Sequence, residues 1–500
     1  MGSSKNIVSG VVWSIFANIV NALYGFIMIP VLINYFGKAE YGIIGLAQSI
    51  NAYMQIMDMG LNSSNVRFFS NWLVRGDNER VKRLFSTCTA FYGIIGLANA
   101  AVLIIVYMYT NNLFNLTSDQ DAILKDLLLI LAISAFVNWF TSCYNQIISA
   151  TENVAWTQKR LLVTKILLVL VLCITVWLKL DIVSYYILTV FCTWVILPAV
   201  VLKIKQVAPM VSFIPKFSKE VFVEILPYTL NIFSFTIFSF SFNNLKPVFL
   251  GMQSTPESVA DYKILMGISG LINSVSGVFL SSLLPSSSKV IAEDNKEKYN
   301  MIAYQGTKYI MIFVSFCVFG MLCIDQDLLI LYVGDSYNDL VPWLDVFILL
   351  LLSNHILGIS SLILGGSNIV PLSRMTAISS LIGLIAIWLL IPYYEVGGVA
   401  IGSVIYSIAQ MGFYYFYFWP KVMKINSKTI FLSIVLPILL YSVLLYFITT
   451  LIIPQTSHWS TIINRGSLFF CLYMIVTYFY LNKGERLYIR RIFFSKTKSR

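Results

Sequence analysis

Charged residues are scarce in this chain. Only 11% of its 500 residues are Asp, Glu, Lys or Arg, whereas 58% are hydrophobic and the mean hydropathy is +0.80. A soluble domain carries about 25% charged residues, so the composition excludes a protein that folds in water alone. Because a spanning helix needs about 20 apolar residues, we expect an all-α polytopic membrane protein with no room for a large soluble domain.

Histidine and paired cysteines are scarce as well. The chain has two His and seven Cys; the cysteines lie within or beside apolar runs, and no CxxC pair occurs. These absences argue against a zinc site and against a disulfide framework. A glycine-rich phosphate-binding loop is also missing from the sequence. We therefore expect no cofactor and no ATP hydrolysis by the chain itself.

Fourteen apolar runs are long enough to cross a membrane. The first run is too long for the apolar segment of a signal peptide, so it should remain in the mature protein. The predicted spans lie at about 7–34, 41–66, 84–110, 122–150, 161–178, 184–202, 221–250, 260–285, 301–324, 341–366, 372–392, 398–419, 430–453 and 463–482.

The basic residues give these predicted spans an orientation. The net charge of +11 would suit a nucleic-acid partner, but Lys and Arg of membrane proteins gather in cytoplasmic loops. With the N-terminus inside, 25 of the 34 basic residues fall in inner segments, and only Lys38 and Lys179 fall in outer loops. We therefore expect cytoplasmic termini, no nucleic-acid partner, and a basic tail that lies on the anionic inner leaflet.

An internal repeat predicts the domain organisation. Pro30 and Tyr41 have counterparts in Pro247 and Tyr262, each beside a small-residue helix. Since spans 1 and 7 both start inside, the two halves would be parallel repeats of six helices. We predict an N-terminal lobe at 1–203, a cytoplasmic linker at 204–220, a C-terminal lobe at 221–420, two further helices within 421–483 and a basic cytoplasmic tail at 484–500.

Polar residues inside the spans mark candidate functional positions. In span 2, polar residues step by three or four positions, which places them on one helical face; span 1 has a shorter stripe that includes Asn18 and Asn21. Such residues serve either helix packing or a water-filled cavity, and an intramembrane acid such as Asp58 favours the cavity. The span 2 stripe consists of Asn51, Gln55, Asp58, Asn62 and Asn65.

Two lysines lie at membrane level in the second half. Lys246 precedes Pro247 near the outer end of span 7, and Lys263 begins a small-residue face of span 8. Their side chains either reach the outer headgroups or form a cationic site for an anionic substrate, because ammonium groups hold phosphate well at low dielectric.

These residues carry a resemblance to a known family. The chain is similar to bacterial polysaccharide transporters, which flip lipid-linked oligosaccharides and belong to the multidrug/oligosaccharidyl-lipid/polysaccharide exporter superfamily. Phe36 stands where that family usually has Leu. The matching segments are Asn18 to Pro30, then Tyr35-Phe36-Gly37-Lys38-Ala39-Glu40-Tyr41-Gly42, then Asp58-Met59-Gly60-Leu61 and Arg67.

The resemblance implies a function and a set of partners. The substrate would be an undecaprenyl-diphosphate oligosaccharide, flipped across the bacterial inner membrane by alternating access for O-antigen, lipopolysaccharide or capsule synthesis. Coupling to H⁺ or Na⁺ stays open, and a polysaccharide polymerase and a chain-length regulator are the protein partners to consider. The predicted substrate cavity comprises Asn18, Asn21, Asn51, Asp58, Asn62, Lys246 and Lys263.

Two alternatives remain open from the sequence. A drug or cation antiporter of the same superfamily would share the fold, but its cavity should concentrate acidic residues. A membrane polysaccharide polymerase or glycosyltransferase would find a matching DxD pattern in Asp325-Gln326-Asp327. The outer loop that holds this pattern is too short for a catalytic domain, so we expect a transporter and not an enzyme.

Overall fold

The computed structural model describes residues 4–487, except 293–295, 357–358, 360–361 and 363–368. The described residues are about 90% helical and contain no strand, which confirms the all-α fold. The end of the predicted span 341–366 and residues 488–500 of the basic tail lie outside the described residues.

The first half of the chain folds into long helices joined by short turns. Gly37 ends the first helix with φ of 98°, a conformation that glycine adopts without strain. The helices are α1 Ser4–Phe36, α2 Lys38–Met54, α3 Met59–Val74, α4 Asn78–Leu113, α5 Ser118–Ala150, α6 Val154–Leu178, α7 Ile182–Val195, α8 Leu197–Val207 and α9 Lys219–Gln253.

The second half mixes long helices with short 3₁₀ and π segments. The α-helices are α10 Pro256–Ala292, α11 Lys296–Met301, α12 Thr307–Leu322, α13 Asp325–Val333, α14 Val341–Leu350, α15 Ile369–Tyr394, α16 Val396–Phe413, α17 Ser427–Ile430, α18 Leu436–Ile452 and α19 His458–Tyr480.

The predicted spans correspond to these helices. Within the described residues, eleven helices are long and apolar enough to cross a membrane, so the chain is a multi-pass membrane protein. The three other predicted spans coincide with α2 and α3 together, with α9 and with α10. Many apolar side chains on these helices are exposed, as expected where lipid is the solvent.

Capping residues fix where two of the long helices begin. Asp77 accepts a hydrogen bond from the Arg80 amide at 3.1 Å and starts α4. Thr117 and Gln120 form a reciprocal capping box at the start of α5. These contacts satisfy backbone N–H groups that lack partners within the first helical turn.

Two details differ from the sequence prediction. Span 2 is not one α-helix, because a 3₁₀ turn at Gln55–Asp58 separates α2 from α3. The acidic segment predicted as an outer loop contains a helix, α13. The loop prediction failed because charged residues at a helix start resemble loop residues in sequence, although acids stabilise the first turn of a helix.

The chain divides into two compact units. The first contains residues 1–274 and 369–410, and the second contains 275–368 and 411–500. In the first unit, Phe85, Tyr144 and Phe213 form a ring cluster with centroids 5.6–5.7 Å apart. In the second, the fully buried Phe469 and Tyr473 pack together. The lobes and the repeat expected from the sequence remain predictions.

Candidate functional site

A polar cavity lies within the first unit. Its volume is about 410 Å³, and its walls come from α2, the Gln55–Asp58 turn, α4, α5, α6 and α7. The polar lining residues are Asn51, Gln55, Asp58, Asn99, Asn138, Thr141, Ser142, Asn145, Arg160, Thr164 and Thr193.

The carboxylate of Asp58 is held by neutral donors. The Tyr92 hydroxyl donates to Oδ1, the Ser142 hydroxyl donates to Oδ2 at 2.9 Å, and Gln146 Nε2 lies 3.4 Å from Oδ1. In the described part of the chain, no Lys, Arg or His forms an ion pair with this carboxylate. Asp58 therefore contributes an acceptor group to the cavity wall that no cation neutralises.

A second set of hydrogen bonds holds these donors in place. Gln146 Nε2 donates to the Tyr92 hydroxyl at 2.6 Å, and Asn65 Nδ2 donates to Gln146 Oε1 at 2.9 Å. Tyr92, Asn65 and Gln146 are all buried. Because each of these groups has a partner, the network fixes the orientation of the Asp58 side chain.

Four polar atoms of the cavity residues are buried without any hydrogen-bond partner. Two of them accept, Oδ1 of Asn99 and of Asn145, and two donate, Nε of Arg160 and Nε1 of Trp194. Buried polar atoms usually have a partner, and each unsatisfied one costs about 1–3 kcal/mol. The walls of the cavity therefore contain donors and acceptors that no protein group satisfies.

The two membrane-level lysines of the first unit have no acidic partner. Lys263 Nζ donates to the Ser49 hydroxyl at 3.1 Å, and Lys246 Nζ lies 4.0 Å from the ring centre of Phe242. Lys246 is 6% exposed. Within the described ranges neither ammonium group pairs with a carboxylate, so no neighbouring acid neutralises either charge.

The structure brings only some of the predicted site residues together. Asn51 and Asp58 border the cavity, and Lys263 contacts Ser49 of the same helix as Asn51. Lys246 lies on α9, outside this lining. Asn18, Asn21 and Asn62 are exposed and do not line the cavity. The seven predicted residues remain predictions as substrate contacts.

Sequence reasoning missed the opposite wall of the cavity. On α5, Asn138, Ser142 and Asn145 follow a spacing of four and three, which could have revealed a polar stripe. Arg160 is one of the 25 basic residues that the sequence places in inner segments, whereas it lies in α6 and borders the cavity. Asn99 has no polar neighbours at helical spacing on α4, so its sequence carries no such signal.

The lining chemistry suits a polar organic group better than a metal ion. In the ranges that the structure covers, no three His, Cys, Asp or Glu side chains come together. The cavity offers one carboxylate, one guanidinium, several amides and several hydroxyls. Such a set forms many directional hydrogen bonds without a dominant charge.

Comparisons with known proteins identify the fold. The family model described as Polysaccharide biosynthesis protein matches residues 7–291, more than half of the chain. The solved structure "Lipid II flippase MurJ, inward closed conformation" superposes with a TM-score of 0.73 at 16% identity, covering 94% of this chain and 98% of that chain.

Multidrug transporters share the fold less closely. The eukaryotic MATE transporter AtDTX14 has a TM-score of 0.57 at 13% identity, covering 87% of this chain and 98% of that one. The MATE multidrug transporter DinF-BH has a TM-score of 0.56 at 15% identity, covering 83% and 96%. No curated protein matches the chain in sequence. At these identities the structural likenesses show a common fold.

Proposed function

The chain belongs to the polysaccharide biosynthesis protein family, and from that premise we propose that it flips lipid-linked oligosaccharides. The substrate is an undecaprenyl-diphosphate-linked repeat unit, moved from the inner to the outer leaflet of the bacterial cytoplasmic membrane. The product serves O-antigen, capsule or related surface polysaccharide synthesis. A polysaccharide polymerase and a chain-length regulator are the proposed protein partners.

The family and the fold support transport and not catalysis. The chain has the fold of flippases and multidrug transporters, and its helices are apolar enough to cross a membrane. A headgroup of sugars and phosphates needs polar contacts during passage, while a lipid tail can remain in the bilayer. The bias of basic residues supports cytoplasmic termini, which we include in the proposal.

The observation that carries the proposal is the pair of lysines without acidic partners. An unpaired ammonium group within a membrane-spanning bundle is costly, and such groups usually mark a substrate path. Lys246 and Lys263 lie on α9 and α10, which follow one another in the chain. A diphosphate would supply the missing negative charge through charge-assisted hydrogen bonds. We assign the phosphate groups of the substrate to these two lysines.

A transport assay in proteoliposomes tests this assignment. Lys246→Met and Lys263→Met should each lower translocation of an undecaprenyl-diphosphate oligosaccharide about tenfold or more, because a hydrogen bond to a charged group contributes about 1.5–3 kcal/mol. Lys205→Met, at an exposed position on α8, is the matched control and should transport normally. Wild-type protein that does not translocate the lipid, or a double variant that transports at the wild-type rate, would refute the proposal.

One observation favours a second candidate, an ion-coupled drug or cation antiporter. Asp58 lines the cavity without a cationic partner, as a group that carries H⁺ or Na⁺ would. We keep H⁺ or Na⁺ coupling through Asp58 as part of the flippase proposal as well. Drug resistance conferred by the chain in a sensitive host, without any change in surface polymer, would favour the antiporter.

A further inference from the structure

We propose that the cavity enclosed by α2, α4, α5, α6 and α7 is a carbohydrate subsite that binds a neutral sugar unit of the transported oligosaccharide. This inference rests on the proposed function and adds to it a second contact region, separate from the two lysines. The residues that define it are mostly ones without any functional assignment from sequence: Asn99, Asn138, Asn145, Arg160 and Trp194.

The hydrogen-bonding capacity of the cavity matches that of a sugar. Asn99 is 3% exposed, donates to Asn51 Oδ1 at 3.4 Å and leaves its own Oδ1 without a partner. Asn145 Oδ1 is a second unused acceptor, and Arg160 Nε and Trp194 Nε1 are unused donors. A sugar hydroxyl both donates and accepts, so one ring suits a lining that carries donor and acceptor side chains together.

The charges around the cavity give no net preference to a charged organic ligand. Asp58 and Arg160 both line it, so each charge offsets the attraction that the other offers to a phosphate or to an organic cation, and H⁺ or Na⁺ at Asp58 stays compatible with a bound sugar. The remaining polar lining consists of amides and hydroxyls. A neutral polar group avoids both repulsions and still uses the charged side chains as hydrogen-bond partners.

Size and aromatic character agree with the same class of ligand. Small-molecule sites span about 300–1,000 Å³, and 410 Å³ lies near the lower end, which suits one or two sugar rings. Trp139 and Trp194 belong to the lining. Trp139 already stacks on Tyr92 with ring centroids 5.9 Å apart, which leaves Trp194 as the aromatic side chain with a free donor.

The subsite is distinct from the lysine contact. Ser49, which accepts from Lys263, and Asn51 are two positions apart on α2, so they point to opposite sides of that helix. A lipid diphosphate without sugar can reach the lysines and still leave the cavity empty. A substrate without sugars therefore separates binding by the lysines from binding in the cavity.

The test compares two lipids in proteoliposomes. Asn145→Leu and Asn99→Leu remove an amide at similar size and should raise the KM for an undecaprenyl-diphosphate tetrasaccharide at least tenfold, with kcat unchanged. Their transport of undecaprenyl diphosphate without sugar should equal that of wild type. Asn243→Leu, at an exposed position on α9, is the matched control. The inference would be overturned by an unchanged KM in both cavity variants. It would also be overturned if the variants lost as much transport of undecaprenyl diphosphate as of the tetrasaccharide lipid.

A binding measurement keeps the subsite testable if transport itself fails. Free galactose and free N-acetylglucosamine, added to purified wild-type protein, should change its tryptophan fluorescence, and Trp194→Phe should remove most of that change. If the wild type translocates neither lipid but shows this response, the flippase proposal fails while the subsite stands. Neither sugar changing the fluorescence of the wild type would contradict the subsite whatever the transport result.

Discussion

The two ends of the α2–α3 segment make close contact with neighbouring helices, but by different chemistry. At the Lys38 end, Gly42 faces the backbone of Pro256 at the start of α10. On the Val74 side of the Gln55–Asp58 turn, at the start of α3, Gly60 faces the backbone of Thr229 on α9. In both places a glycine allows one helix to approach a carbonyl oxygen of another.

Charged and polar groups surround the contact at the Lys38 end. Lys38 Nζ lies 2.6 Å from Asp261 Oδ1, and Lys263 donates to Ser49, about two helical turns after Gly42. A β-carbon added at Gly42 would lie 1.8 Å from the Pro256 oxygen. This contact is therefore both tight and electrostatic.

Aromatic side chains surround the contact at the Val74 end. The Arg67 guanidinium lies 4.3 Å from the ring centre of Tyr228, and Phe68 packs edge-on against the same ring. A β-carbon added at Gly60 would lie 2.3 Å from the Thr229 oxygen. Packing and cation–π attraction dominate here.

The difference matters for the proposed transport by alternating access. In that mechanism each contact would break while the other holds. Electrostatic contacts weaken with salt and respond to pH, whereas aromatic packing responds to neither. The Lys38 end, predicted to face outside, should therefore be the end whose opening depends on solution conditions.

Gly42→Val should have the largest effect on transport. The added side chain collides with backbone, and such overpacking costs about 1–3 kcal/mol, so the Lys38-end contact should stay open and translocation should fall by about 10- to 100-fold. The check is the transport rate, together with labelling of a cysteine introduced at Ser49 by an impermeant maleimide from outside. Gly25→Val, where an added β-carbon meets nothing within 4 Å, is the control and should transport at the wild-type rate. A wild-type rate for Gly42→Val as well would show that the contact between Gly42 and Pro256 does not form during transport.

Gly60→Val should disturb the opposite end somewhat less. The collision with Thr229 is slightly milder, at 2.3 Å, so we expect about a tenfold loss of transport. A cysteine introduced at Ser64, which is buried, should gain labelling from the cytoplasmic side only. Increased labelling from outside would reverse the assignment of the two ends.

Lys38→Met tests the electrostatic part of the comparison. The lysine side chain is 34% exposed, so the ion pair contributes at most about 1 kcal/mol, and the transport rate should change by about fivefold or less. The rate of the variant should lose its dependence on ionic strength, which the wild type should retain. Asp261→Asn should also remove the dependence of the transport rate on ionic strength. If the rates of both variants still depend on ionic strength, other charges cause that dependence.

The smallest expected effect concerns pH at the Lys38 end. Burial, and then the charge of Asp181, raise the pKa of Glu40, which lies just before the predicted span. The folded chain thus holds a proton that the unfolded chain releases above about pH 4.3, so stability should be greatest at low pH and fall as pH rises through the raised pKa. Glu40→Gln should flatten the dependence of Tm on pH by less than about 2 °C; a Tm that rises with pH only in the wild type would contradict this sign.

Much of the fold could be predicted from local sequence, because each spanning helix needs its own apolar run. As far as the described residues reach, each of the fourteen predicted spans coincides with helical structure, and Asn51 and Asp58 share the cavity as their spacing indicated. Asn99 and Arg160 could not be assigned, because their placement depends on how α4 and α6 pack against α2. Periodicity within one helix contains no information about that packing.

The repeat hypothesis gains one structural parallel. Pro30 in α1 and Pro247 in α9 each lie six residues before their helix ends. Proline removes a backbone hydrogen bond from a helix, so both helices lack one such bond at the same distance from their ends. This agreement concerns two helices, and the six-helix repeat itself remains a prediction.

The 3₁₀ turn at Gln55–Asp58 lies between the two glycine contacts. A short 3₁₀ stretch within a long helical segment often acts as a hinge, so bending at this turn would move α2 relative to α3. In such a motion α2 would separate from α10 while α3 keeps its contact with α9. Because Asp58 belongs both to the turn and to the cavity wall, a ligand that binds Asp58 would contact the joint between the two helices.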